Sequence, residues 1–186
     1  MPFFADRAPE LASRLISDFG SLSAAMDANT DHMSDVEVSD ACRILRAARN
    51  LSKRALVEDF SGLAVVSDDP RLIDYLRCQL DGTSEVLCAI FMDSHGRYIR
   101  DELLADGSVG QVRVAPRTLF SRAFQLRASR VIVAHNHPSG NCRPSVQDRA
   151  ATQSLSGMGR ALGVELVDHL IVSRRGYFSF EREGLL

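Results

Sequence analysis

Two histidines and an aspartate in the second half of the chain have the residue types and spacing of a metal site. One residue separates His135 from His137, and Asp148 follows after ten more. The apolar, β-branched run before His135 predicts a strand, and residues two apart in a strand point to the same side. Pro138 and Gly140 predict a turn. Asp148, in the first turn of a predicted helix, can therefore return to the two imidazoles.

Two imidazoles and one carboxylate form a donor set that suits zinc. Three protein ligands leave the fourth tetrahedral position to water, which is the arrangement of catalytic zinc sites. Bound zinc lowers the pKa of that water to about 7. Iron, cobalt and nickel also accept imidazole, so these ligand types favour zinc without selecting it alone. Cys142 lies in the predicted turn, but as a fourth ligand it would close the site to water, and we do not include it.

The same residues also have ordinary structural interpretations. A histidine at the end of a strand is commonly a hydrogen-bonding residue of the core. Ser145 and Asp148 have the spacing of a capping box, with Ser145 as the N-cap and Asp148 as the third helical residue. Capping alone explains both residues, and capping and catalysis would use the same hydroxyl group.

Strands that alternate with helices predict a layered α/β domain behind a helical N-terminal region. Apolar residues recur at helical spacing in the first part of the chain. We place the boundary near residues 58–70, which gives a helical domain at 1–60 and a metal-binding domain at 61–186. In the second domain we predict helices at 70–80, 116–126 and 145–162, and strands at 86–91, 97–104, 131–137, 165–172 and 177–180.

The composition is that of an ordinary globular protein. Hydrophobic residues make up 45% and charged residues 25% of the 186 residues. The net charge of −2 gives no general attraction to nucleic acid or membranes. No apolar run approaches the roughly 20 residues that span a bilayer, the N-terminus lacks the pattern of a signal peptide, and the cysteines form no Cys-x-x-Cys pair. We therefore expect a cytoplasmic protein with reduced thiols and no membrane partner.

The chemistry-bearing residues resemble a known family. His135, His137, Ser145 and Asp148 match every position of the JAMM (MPN+) metalloprotease motif, which is His-x-His, seven residues, Ser, two residues, Asp. The segments 135–140 and 168–172 resemble the RadC branch of that family. The resemblance runs from about residue 85 to the C-terminus. It implies a three-layer, mixed-sheet JAMM/MPN domain, which is related to the cytidine deaminase fold, behind a small helical domain.

The resemblance implies a role for each matching residue. The ligands of Zn2+ would be His135, His137 and Asp148. Ser145 would hold the water or the oxyanion of the tetrahedral intermediate. An upstream glutamate would be the general acid/base, and family position points to Glu102, with Glu85 as the alternative. His169 would either support the metal from behind or be a plain hydrogen-bonding residue, and we leave it out of the site.

The resemblance implies a zinc-dependent hydrolase that cuts an amide or isopeptide bond in a protein or peptide substrate with a metal-activated water. The alternative is a non-catalytic metal-binding interaction module, associated through the family with DNA maintenance or mobile-element biology. A nucleotide deaminase is disfavoured because the His-x-Glu and Pro-Cys-x-x-Cys patterns are missing. We expect substrate specificity to come from loops such as residues 105–111.

The N-terminal region bears on DNA binding. RadC-type relatives carry a helix-hairpin-helix unit there, and residues 22–54 match its outline. In place of the family's Gly-hydrophobic-Gly, however, this chain has Asp35-Val36-Glu37, and Asp40 replaces a lysine. Glycines let backbone N–H groups approach phosphate, whereas carboxylates repel it. We therefore expect no DNA binding through this hairpin. One helix of this region carries a basic stripe, formed by Arg43, Arg46, Arg49, Lys53 and Arg54. Two interpretations of the stripe remain open, a phosphate-binding face and a solvated helix face.

Overall fold

The computed structural model describes residues 7–58, 60, 62–81, 84–104, 115–137 and 139–186. The predicted specificity loop at 105–111 and the turn residue Pro138 lie outside these residues. The chain divides into two compact units, Met1–Arg54 and Ala55–Leu186. The sequence-based division at residue 60 stays a prediction. No helix that the structure describes is both long enough and apolar enough to cross a membrane.

The first unit is helical, as predicted. It contains α1 (Ala8–Phe19), α2 (Leu22–Asp27) and most of α3 (Val36–Glu58). Ser21 caps α2 by accepting a hydrogen bond from the backbone of Ala24. The three helices share one small apolar core, whose buried members are Leu11, Leu15, Ala25, Val38, Ala41 and Cys42.

Polar groups of the hairpin in this unit bind other groups of the same unit. Asp35 Oδ1 accepts a hydrogen bond from the backbone of Val38, in the first turn of α3, and Arg14 forms an ion pair with the same carboxylate. These two partners hold the pKa of Asp35 below its ordinary value. A phosphate would bind at the N-terminus of α3, but the carboxylate of Asp35 already occupies this position.

Two arginines of the basic stripe are used inside the unit. Arg46 donates to the backbone carbonyl of Met26 at 2.8 Å and also to that of Ala28. Arg49 forms an ion pair with Asp27 at 2.6 Å. The bonds from Arg46 satisfy carbonyl groups at the C-terminal end of α2 that have no partner within the helix. At these two positions the stripe holds the hairpin together.

The second unit is a mixed α/β layer structure, which confirms the predicted fold class. Its elements in chain order are α4 (Pro70–Gln79), β1 (Leu87–Met92), β2 (Tyr98–Leu103), α5 (Pro116–Gln125), β3 (Arg130–Asn136), α6 (Val146–Leu162), β4 (Glu165–Ser173) and β5 (Gly176–Ser179). The five strands form one sheet in the order β2-β1-β3-β4-β5. Only β3 and β4 pair in parallel, and α6 supplies the crossover connection that parallel neighbours require.

Helices cover both faces of this sheet. On one face, side chains of α4 such as Leu72 and Leu76 pack on alternate residues of β1 and β3. On the other face, Leu119 of α5 and Leu155 of α6 pack on the intervening residues. β1 and β3 are therefore buried on both sides, which explains why they are continuous apolar runs rather than alternating ones.

The end of α6 approaches the start of β4 closely at Gly159. A Cβ atom at this position would lie 2.3 Å from the carbonyl oxygen of Val164 and 3.5 Å from the ring of Phe120. The backbone of Val164 also donates to the carbonyl of Gly159 at 2.9 Å. Glycine is required here because the backbones themselves are in contact.

We expect Gly159→Ala to lower the free energy of unfolding by about 1–3 kcal/mol, because the methyl group has to displace backbone. Gly157→Ala is the matched control. That position lies on the same helix with open space around it, and alanine should stabilise the protein by about 0.5–1 kcal/mol. Chemical denaturation of both variants measures the difference. Equal stabilities would contradict the close approach.

Candidate metal centre

The end of β3 brings both predicted histidine ligands to one point. The Nε2 atoms of His135 and His137 lie 3.0 Å apart. Asp148, in the first turn of α6, places Oδ1 at 3.4 Å from Nε2 of His135 and Oδ2 at 3.5 Å from Nε2 of His137. Three residues from two elements thus meet as their spacing predicted.

These separations fit a tetrahedral metal ion. With bonds of about 2.1 Å, neighbouring ligand atoms of a zinc site lie about 3.4 Å apart. His137 Nδ1 lies 2.6 Å from the carbonyl oxygen of Asn141. Because a carbonyl only accepts, this nitrogen carries a proton, and in the neutral imidazole, which metal binding requires, Nε2 of His137 then carries the lone pair. The lone pair faces His135.

Burial keeps His135 in the neutral form that metal binding requires. Desolvation, opposed by the nearby Asp148 carboxylate, lowers the pKa of His135 to about 4. Burial also lowers the pKa of His169, behind it, to about 3. Both imidazoles are therefore neutral at neutral pH.

Ser145 and Asp148 form the predicted capping box. The hydroxyl of Ser145 accepts from the backbone of Asp148 at 3.1 Å, and Oδ2 of Asp148 accepts from the backbone of Ser145 at 2.7 Å. The hydroxyl also donates to Oδ2 at 2.6 Å. Burial acts to raise the pKa of Asp148, but the bonds from Ser145 and the attraction of the two imidazoles bring it below its ordinary value. The capping box thus keeps the carboxylate charged and points it at the histidines.

Glu85 is the second acid at the site. Its Oε1 lies 3.8 Å from Nε2 of both His135 and His137. These three residues offer ligand atoms within 4.8 Å of one another, a group that could hold a metal ion. Asp148 approaches the imidazoles more closely than Glu85 does. Both acids therefore face the histidine pair, with Asp148 in the nearer position.

Asn136 holds the segment that carries Glu85. Its side-chain oxygen accepts from the backbone of Val86 at 2.7 Å, and its side-chain nitrogen donates to the carbonyl of Ser84 at 2.9 Å. These are the residues on either side of Glu85. A residue between the two histidines thus extends the pairing of β1 with β3 to the acid. The sequence did not indicate this role of Asn136, because its hydrogen-bond partners lie about 50 residues away in the chain.

Glu102, the general acid/base expected from family position, lies elsewhere. It pairs with Ala89 on the β2 side of β1, whereas His135 pairs with Leu87 on the β3 side. Two strand spacings amount to about 10 Å. Arg122 of α5 donates to the Glu102 carboxylate at 2.6 Å, and this bond holds the pKa of Glu102 below its ordinary value. The structure does not bring Glu102 to the histidines.

Two further candidate residues have clear positions. The thiol of Cys142 lies 3.0 Å from the hydroxyl of Ser173 and 3.2 Å from the carbonyl of Gly176, and it is not among the grouped donors of the described residues. His169 is buried, and its Nε2 lies 2.8 Å from Nδ1 of His135. Its position agrees with the supporting role that the sequence left open.

The chain is similar to known proteins. A family model described as RadC-like JAB domain matches residues 66–185. The chain is 33% identical over 177 residues to a UPF0758 protein of Haemophilus ducreyi, covering 94% of this chain and 79% of that protein. It is 39% identical over 178 residues to a UPF0758 protein of Burkholderia thailandensis, covering 94% of this chain and 68% of that one. The chain therefore belongs to the RadC-like JAB domain family.

Proposed function

We propose that this protein is a zinc-dependent hydrolase that cuts an amide or isopeptide bond in a protein or peptide. The observation that carries the proposal is the convergence of two Nε2 atoms, 3.0 Å apart, and the Asp148 oxygens at 3.4 and 3.5 Å. His135, His137 and Asp148 would hold the ion. When bound, zinc supplies Lewis acidity that activates water and polarises a carbonyl.

We assign the general acid/base role to Glu85. A proton-transferring carboxylate must reach the attacking water within hydrogen-bond distance, and Glu85 is the acid beside the ligand set that is not needed as a ligand. It would take a proton from the water during attack on the scissile carbonyl and then deliver it to the nitrogen of the leaving amine. Glu102 cannot do this without leaving Arg122.

Ser145 would steady the oxyanion of the tetrahedral intermediate. Its proton now points to Asp148, so the hydroxyl has to turn away from the carboxylate in order to donate to substrate. This rotation moves only the proton, so the oxygen still accepts from the backbone of Asp148 as the N-cap. An oxyanion donor is worth about 3–4 kcal/mol in the transition state, against about 1.5–3 kcal/mol for the hydrogen bond to the charged carboxylate that is given up.

Metal analysis tests the ligand set. Purified protein should contain about one zinc per chain, and His137→Ala should lose most of it, because two donors bind zinc far more weakly than three. The matched control is His95→Ala, which removes a histidine from an exposed turn and should retain zinc. A His137→Ala protein that keeps the wild-type zinc content would refute the site.

Hydrolysis tests the acid/base assignment. Zinc-loaded protein is incubated with a proteome-derived peptide mixture in oxygen-18 water, and mass spectrometry measures labelled carboxyl termini. We expect Glu85→Gln to lower the rate by about 100-fold or more with its zinc content unchanged. Glu102→Gln is the control and should keep most of the activity. The reverse ranking of the two variants would return the role to Glu102.

We also propose that the helical unit does not bind DNA through its hairpin. Asp35 at the start of α3 and the internal use of Arg46 support this. A gel shift with duplex and single-stranded DNA at low salt should show no tight complex. Tight binding that weakens steeply with salt, and that is lost in Arg43→Glu, would show instead that the basic stripe binds phosphate.

A further inference from the structure

A chain of hydrogen bonds runs behind the histidine pair, on the side away from the Nε2 atoms. His135 Nδ1 lies 2.8 Å from His169 Nε2. His169 Nδ1 lies 2.6 Å from Thr152 Oγ1, which in turn lies 2.6 Å from the backbone carbonyl oxygen of Asp148. The chain joins β3, β4 and α6, and it returns to the residue that carries the carboxylate of the site.

The carbonyl group at the end of this chain fixes the direction of every proton in it. A carbonyl only accepts, so the single hydroxyl proton of Thr152 points to Asp148. The hydroxyl must then accept the Nδ1 proton of His169. His169 is 3% exposed and stacks on Phe180 with ring centroids 4.9 Å apart. A neutral imidazole has one ring proton, so with that proton on Nδ1 the Nε2 atom of His169 is an acceptor.

The proton order in this chain determines the tautomer of His135. Because His169 Nε2 accepts, His135 must donate from Nδ1, and its own Nε2 is left with a lone pair. With the opposite tautomer, His135 would donate from Nε2 to the lone pair of His137, 3.0 Å away. That hydrogen bond would occupy both nitrogen atoms that the metal needs.

We propose that His169 and Thr152 are positioning residues that keep His135 in the tautomer presenting Nε2 to a metal ion. The inference rests on the metal site proposed above and deepens it. His137 reaches the same tautomer by a simpler route, through the carbonyl of Asn141. Two different arrangements thus give both imidazoles the same proton placement, with Nδ1 protonated and Nε2 open.

An ordinary structural role for the same residues would end with the core. Buried Thr152 and His169 need hydrogen-bond partners for stability, and the chain to the carbonyl of Asp148 provides them. A purely structural role would lower the stability of a Thr152 variant without changing the proton on His135 or the affinity for zinc. A change of the His135 tautomer in the variant therefore separates positioning from plain core satisfaction, and it can be measured in the metal-free protein, without any substrate.

The experiment compares Thr152→Val, which removes the hydroxyl at nearly constant shape, with Thr152→Ser, which keeps it. Long-range proton–nitrogen NMR of the imidazoles should show His135 protonated at Nδ1 in the wild-type and serine proteins. In Thr152→Val, His169 can turn its proton toward His135, and we expect signal from the Nε2-protonated form. Zinc affinity, measured by competition with a chromogenic chelator, should fall about 10–100-fold in the valine variant and stay close to wild type in the serine variant.

His169→Phe is the second variant. It retains an aromatic ring against Phe180 and removes the acceptor, so it should also weaken zinc binding while thermal unfolding stays cooperative. Wild-type His135 protonated at Nε2 would overturn the proposal even if both variants failed to fold. So would wild-type zinc affinity in both folded variants. If wild-type protein binds no zinc while His135 is protonated at Nδ1, the proposed hydrolase fails and the tautomer assignment stands.

Discussion

The Nε2 atoms of His135 and His137 lie 3.0 Å apart, and the candidate metal centre depends on this approach. In the proton placement that we propose, both atoms carry lone pairs, which repel each other and stay together because the surrounding structure holds them. His135 lies on β3, in the interior of the sheet with helices on both faces, so its imidazole cannot turn into solvent without disturbing packed neighbours. His137 follows the strand and is held by its hydrogen bond to the carbonyl of Asn141. A cation between the nitrogens converts this repulsion into attraction, and for this reason we interpret the geometry as a metal site.

The carboxylates belong to the same electrostatic arrangement. Asp148 lies at the N-terminus of α6, where the helix dipole and the bonds from Ser145 favour negative charge. The contacts that begin the helix therefore also hold the charged side chain that we propose as a metal ligand. Glu85 is held differently. Its backbone is an extension of β1 secured by Asn136, which places its carboxylate beside the two histidines.

Charged side chains also bind helix ends in the first unit. Asp35 binds the start of α3, and Arg14 neutralises it. Arg46 and Arg49 bind groups at the end of α2. These charged side chains hold three helices around a small apolar core.

Local patterns in the sequence determined the helices and strands of the second unit, the histidine-bearing strand and the capping box at Ser145. They could do so because each depends on residues a few positions apart, through side-chain alternation, helical spacing or turn chemistry. These patterns, with the motif, also identified the family. Most of the fold and three of the candidate ligands were therefore available from the sequence.

The tertiary structure alone decided which acid and which third histidine join the site. Glu85 precedes β1 and Glu102 lies in β2, so both belong to the same hairpin. Strand register distinguishes them, because it places the start of β1 opposite His135 and Glu102 opposite Ala89. The position of His169 depends on the parallel pairing of β3 with β4 across α6. Register is set by the packing of whole strands against helices, and no short stretch of sequence contains that information.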